Sequence, residues 1–158
     1  KADSLPHTAI VIPAFFCRNR WLIKDIFVSN KINMKQIIQT SAAPAPIGPY
    51  NQAVLAGGTL YISGQIALDP ASGELVTANI TDETHRVMKN IEAILQAAGA
   101  NFSMVVKTTI LLSDMSLFGE VNSIYGSYFS ADFPARETFA VKGLPKNVNI
   151  EISMIAVL

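Results

Sequence analysis

Between Val87 and Ala98 the apolar side chains keep to one helical stripe (Val87, Met88, Ile91, Ile94, Leu95, Ala98), while the runs on either side change to the short patterns of strands. A helix with a single apolar stripe can cover a single surface. The pattern recurs over Phe118, Val121, Ile124, Tyr125 and Tyr128. There Gly119 and Gly126 each cost about 1 kcal/mol relative to alanine, so the second helix depends on packing. Strands are expected over Lys35–Ile38, Gln52–Leu55, Leu60–Ser63, Met104–Leu112, Thr138–Val141 and Val148–Val157. The order of strands, helix, strand, helix, strands predicts an α+β domain whose two helices cover one face of a sheet. The other face is then either solvated or buried in an oligomer.

Local signals sharpen several boundaries. Gly57-Gly58 between two apolar runs reads as a hairpin turn, and Asp69-Pro70-Ala71-Ser72-Gly73 as a second turn within a longer loop over Gly64–Ile80. Pro44, Pro46, Gly48 and Pro49 make Ser41–Pro49 an extended, turn-rich segment. Thr81 or Asp82 is expected to cap the first helix, Gly99 to end it, and Ser113–Ser116 to supply caps for the second. In the last strand Val148, Ile150, Ile152 and Met154 share one face, and Asn149, Glu151 and Ser153 the other.

Residues 1–33 do not read like the remainder. They hold five Lys/Arg against two Asp, a net of +3, which leaves seven Lys/Arg against ten Asp/Glu, a net of −3, for residues 34–158. The mildly acidic domain argues against a nucleic-acid footprint. Thr8–Phe16 is apolar but is interrupted by Pro13 and falls far short of the ~20 residues a membrane span requires, so no membrane partner is expected. Residues 1–33 are read as an extension outside the domain, with a targeting remnant as the alternative. Cys17 is the one cysteine, which points to a reducing, cytoplasmic setting. His7 and His85 lack ligand-like neighbours, so no metal site is expected, and His85 is read as structural.

Phe133-Pro134-Ala135-Arg136-Glu137-Thr138 sets one arginine in an apolar, small-residue setting at the entry to a strand. From there its planar fork could reach a cleft and hold a carboxylate, or it could salt-bridge at the surface. Glu151 can accept a proton or orient a water, or simply face solvent. Tyr50 can donate a hydrogen bond or pack. Asn122 can line a cleft or be a helix-surface amide. Gly64 permits close backbone approach, and Ser63 adds a hydroxyl. No Ser–His or Cys–His pair suggests covalent catalysis, and no glycine-rich element has phosphate-loop spacing. These residues suit an anion-binding pocket in which water is the nucleophile.

Ile47-Gly48-Pro49-Tyr50, Ser63-Gly64-Gln65-Ile66, Val106-Lys107-Thr108-Thr109, Val121-Asn122, Phe133-Pro134-Ala135-Arg136 and Ile150-Glu151-Ile152 follow one another in register. From Met34 to Leu158 the chain resembles the reactive-intermediate deaminase (RidA, or YjgF) family. The resemblance implies a chorismate-mutase-like mixed sheet, a homotrimer with clefts between subunits, and no metal or organic cofactor. It implies hydrolysis of 2-imino acids and their enamines to 2-ketoacids and ammonia. Arg136 would then hold the substrate carboxylate and Glu151 position the attacking water, with Tyr50, Ser63, Gly64, Asn122 and Thr138 in the same cleft. Many relatives carry cysteine where this chain has Thr138, which costs little if that position acts through its backbone carbonyl. Two rivals stand beside this reading: a metabolite-binding module that no longer turns over, and a ribonuclease or translation inhibitor. The second would call for a basic groove and an acid–base histidine pair, which the acidic domain with its single His85 does not supply.

Overall fold

A computed structural model describes residues 35–158. The readings made for residues 1–33 fall outside the described residues. Six strands form one sheet: β1 (Gln36–Ile38), β2 (Ala53–Ala56), β3 (Thr59–Gln65), β4 (Val105–Leu112), β5 (Ala135–Ala140) and β6 (Ile150–Val157), joined through helices α1 (Ile80–Ala97) and α2 (Phe118–Gly126). The strand order is β1-β2-β3-β6-β4-β5. β4 and β5 run parallel and every other pair antiparallel, so the sheet is mixed, as expected.

Strand alternation assigns the two faces. Leu60 and Ile62 of β3, Ile110 and Leu112 of β4, and Ile150, Ile152, Met154 and Ala156 of β6 are buried, and they join the buried stripe of α1 (Val87, Met88, Ile91, Ile94, Leu95) and Val121 and Tyr125 of α2 in one core. Both helices therefore lie on the same face. The opposite face has no covering layer among the described residues. Ile37, Val54, Tyr61, Ile155 and Lys107 form one row across it, strand by strand. Ile37, Tyr61, Val157 and Phe139 are exposed. Toward the β5 edge of that face Glu137 accepts from Lys107 Nζ at 2.7 Å and from Thr109 Oγ1 at 2.8 Å.

Several boundaries differ from the sequence reading, each for a local reason. Asn79, not Thr81 or Asp82, caps α1: its side chain accepts from the Asp82 amide at 2.8 Å, which places Asp82 and Glu83 inside the first turn. Gly99 ends that helix with φ 75°, as expected. Asp114 caps a short 3-10 turn (Met115–Leu117) that leads into α2, so α2 itself has no side-chain cap. β5 begins at Ala135, three residues earlier than expected, because Ala135-Arg136-Glu137 pair with Lys107-Thr108-Thr109 of β4. The Gly57-Gly58 turn of the β2–β3 hairpin has both residues at positive φ, 56° and 76°, which two glycines adopt without steric cost.

Candidate active site

Arg136 is the second residue of an edge strand, opposite Thr108 in the ladder, and Thr108 is in turn opposite Met154. That row faces the helices. The Arg136 guanidinium lies over two rings of α2, its Cζ 5.0 Å from the centroid of Tyr125 and 5.7 Å from that of Phe118. With Asn122, Tyr125, Gly126, Phe133 and Pro134 it lines a cavity of about 380 Å³. Among the described residues no carboxylate pairs with it. Asn122 is exposed on α2 one turn before Tyr125.

Glu151 lies on the other face, opposite Leu111 of β4. It lines a second cavity, also about 380 Å³, together with Tyr50, Ser63, Gly64, Ile47, Ile66 and Pro145. The β3–β6 register shifts between Ile62 and Gln65, and this bulge aims Ser63 and Gly64 at the cavity. A Cβ at Gly64 would stand 1.8 Å from Glu151 Oε1 and 2.7 Å from Cδ. Glu151 therefore occupies space that only glycine leaves open. Burial pushes its carboxyl above the usual carboxylate range. Ser63 Oγ donates to Asn51 O at 2.7 Å, and Tyr50 is exposed at the rim.

The expected residues thus fall into two groups. Asn122 and Arg136 share one cavity; Tyr50, Ser63, Gly64 and Glu151 share the other. Within one chain the two groups lie on opposite faces of the sheet. Thr138 lines neither cavity: it sits opposite Ile110 in the ladder, and its hydroxyl is shielded from solvent with no hydrogen-bond partner among the described residues.

Other side chains shape these cavities without having stood out in the sequence. Buried Gln52 accepts from the Thr40 amide at 2.7 Å and donates to the carbonyls of Thr40, Ala43 and Pro44, so it fixes the proline-rich segment that ends at Tyr50. Gln65 Nε2 donates to the carbonyls of Ser63 and Gly64 and secures the bulge. Buried Glu83 accepts from Asn149 N at 2.6 Å and from its Nδ2 at 2.9 Å, anchoring β6 two residues before Glu151. A glutamine or an acid in a helix's first turn looks like surface in sequence; nothing in the spacing signals its burial. His85, read from the sequence as structural, has its Nδ1 2.8 Å from the Tyr128 hydroxyl. Among the described residues no cluster of His, Cys, Asp and Glu could hold a metal ion, and no helix is long and apolar enough to cross a membrane.

Comparisons with known proteins bear on this geometry. Residues 40–158 match the family model described as Endoribonuclease L-PSP. A human protein named 2-iminobutanoate/2-iminopropanoate deaminase is 49% identical over 124 residues, covering 78% of this chain and 90% of that protein. The crystal structure of a Yersinia pestis protein of the conserved Rid family superposes with a TM-score of 0.77 at 45% identity, covering 78% of this chain and 99% of that one. E. coli TdcF with bound serine superposes with a TM-score of 0.75 at 37% identity, covering 78% and 98%. With six motifs in register, a mixed sheet under two helices and relatives this similar, the chain belongs to the Endoribonuclease L-PSP family, the group of RidA/YjgF deaminases that its sequence resembles.

Proposed function

We propose that residues 34–158 form a homotrimeric hydrolase that deaminates reactive 2-imino acids, 2-iminobutanoate and 2-iminopropanoate, to 2-ketoacids and ammonia. The observation that carries the reading is an arginine fork in a cavity where, among the described residues, no carboxylate pairs with it. A carboxylate with a reactive C=N beside it is the ligand such a fork suits, and the relatives named for this activity supply the reaction. The separation of Arg136 from Glu151 supports a cleft built from two copies, and the uncovered, partly apolar sheet face supports a closed assembly.

In that cleft Arg136 binds the substrate carboxylate and fixes the position of the imine carbon. Glu151 of the neighbouring copy takes a proton from a water whose oxygen attacks that carbon. The C=N bond becomes a single bond in a tetrahedral carbinolamine. Protonation of nitrogen and collapse then release ammonia and leave the 2-ketoacid. Tyr50 donates at the rim, Ser63 and Gly64 frame the water side, and Asn122 sits with the carboxylate side, while Thr138 lies two residues beyond Arg136 on the same strand and lines neither cavity. The step calls for no metal or organic cofactor, and a reducing, cytoplasmic setting suits a domain without cysteine between 34 and 158.

Ammonia release from freshly generated 2-iminobutanoate tests this directly. Release well above spontaneous hydrolysis is expected, with 2-oxobutanoate as the product. A parent protein that binds 2-oxobutanoate but does not speed ammonia release would instead be a binding module.

A further inference from the structure

A long arginine side chain loses much rotamer freedom when held in one pose, so something must order it before the ligand arrives. An ion-pair partner would do so, but it would occupy the same in-plane N–H groups that a carboxylate ligand requires. Arg136 is ordered differently. Phe118 and Tyr125 are seven residues apart, two helical turns, so one stripe of α2 presents both rings to the guanidinium. Ring faces attract the cation through their quadrupole and leave its hydrogen-bond fork free.

Of the two rings Tyr125 is the better fixed. Its hydroxyl donates to Thr108 Oγ1 at 3.0 Å, and Thr108 is fully buried. Phe129 backs the ring at a centroid distance of 4.9 Å. Thr108 is also the residue opposite Arg136 in the β4–β5 ladder. One strand position therefore sets both the backbone of the arginine and the ring that holds its head. Burial pushes the Tyr125 phenol up, against the smaller opposing effects of the Thr108 bond and the Arg136 charge, so the phenol stays a neutral donor near pH 7.

We propose that Tyr125, tethered by Thr108, is the positioning residue that orients the Arg136 fork and so governs how tightly the site grips a carboxylate. The proposal rests on the reading of Arg136 as the carboxylate anchor. Tyr125 acts through Arg136, so its effect vanishes where the arginine is gone.

The test uses the full chain, with 2-oxobutanoate binding by calorimetry alongside ammonia-release kinetics. Tyr125→Leu removes the ring and is expected to raise Kd and KM about tenfold while kcat changes less than about threefold. Tyr125→Phe keeps the ring and is expected to stay within about threefold of the parent. The double variant Tyr125→Leu/Arg136→Ala should bind no more weakly than Arg136→Ala alone. Additive losses, or a Tyr125→Leu that binds like the parent, would overturn the proposal. Thr108→Val gives the same reading should Tyr125→Leu fail to fold. A Kd raised about threefold only when Arg136 is present supports the tether, and an equal or absent effect in both backgrounds overturns it. If Arg136→Ala leaves 2-oxobutanoate binding intact, the anchor falls and the positioning role with it. If binding obeys this scheme but the parent releases no ammonia, the deaminase reading fails and the positioning role stands.

Discussion

The two cavities present opposite charges, and they solve opposite problems. Arg136 sits on an edge strand beside aromatic rings that order it while consuming none of its donors. Glu151 sits on a central strand in a notch cleared by Gly64, with apolar Ile47, Ile66 and Pro145 around it. Among the described residues the cation has no paired carboxylate, which leaves its fork open for the ligand proposed above. Partial removal from water makes the anion bind a proton more readily, which suits the base role proposed for it. One half is built from added bulk and the other from missing bulk. Neither half alone offers both an anchor and a base, which is why the comparison bears on assembly as much as on chemistry.

The largest effects come from breaking one half at a time. Glu151→Gln should lower kcat about a hundredfold, the scale of a lost general base, while 2-oxobutanoate still binds. Arg136→Ala should lower kcat/KM by at least about tenfold, and Arg136→Lys should be nearly as damaging, because lysine keeps the charge and loses the fork. Unfolding and refolding the two defective proteins together should restore activity if the cleft is shared as proposed, with an intact Arg136 from one copy and an intact Glu151 from its neighbour. In a random mixture of trimers about three in four are mixed, each with one intact cleft of three, so about a quarter of parental activity is expected. No recovery in a mixture whose subunits have demonstrably exchanged would mean that each site lies within one chain.

A smaller effect sharpens the contrast between added and missing bulk. Gly64→Ala places a methyl where Glu151 Oε1 now lies, so the carboxylate must swing out of its notch. Activity should fall about tenfold, with the loss in kcat and little change in 2-oxobutanoate binding, because the anchor half is untouched. The acid limb of the kcat profile should also move to lower pH as the carboxyl regains water. A Gly64→Ala protein with parental kcat and an unmoved acid limb would detach the glycine from the carboxylate's function.

Much of the Glu151 half was legible in the sequence, and less of the Arg136 half. Alternation along Val148–Met154 assigned Glu151 to the uncovered face, and Gly64 stood out as a point of close approach; both follow from period-two geometry and a missing Cβ. Tyr125 was readable only as part of an apolar stripe, because periodicity says that a ring is buried and not which cation lies against it. Gln52, Gln65 and Glu83 were opaque for a related reason. Their burial depends on distant backbone groups, such as the Asn149 amide 66 residues from Glu83, that only the folded chain brings near. The strand boundary at Ala135 was misplaced because Phe133-Pro134 reads as loop, while the pairing that starts the strand belongs to β4.

The smallest expected effect concerns stability and has opposite signs in the two halves. Burial holds the Glu151 carboxyl above its ordinary value, so the folded protein binds that proton more tightly than the unfolded chain does. Stability contributed by this group is therefore present at low pH and falls as pH rises through the window just above the ordinary carboxylate range. At pH 7 the ionised, partly desolvated Glu151 is a net cost, reduced by its contact with solvent. Glu151→Gln removes the charge and keeps the shape, and should raise Tm by about 1–2 °C at pH 7 with no gain near pH 4. Arg136→Ala removes an attraction to two rings and should lower Tm slightly at both pH values. Scanning calorimetry at pH 4 and pH 7 separates the two. A Glu151→Gln protein less stable than the parent at pH 7 would mean that the carboxylate is held by favourable contacts in the assembled protein, and that its notch holds the fold together as well as serving the reaction.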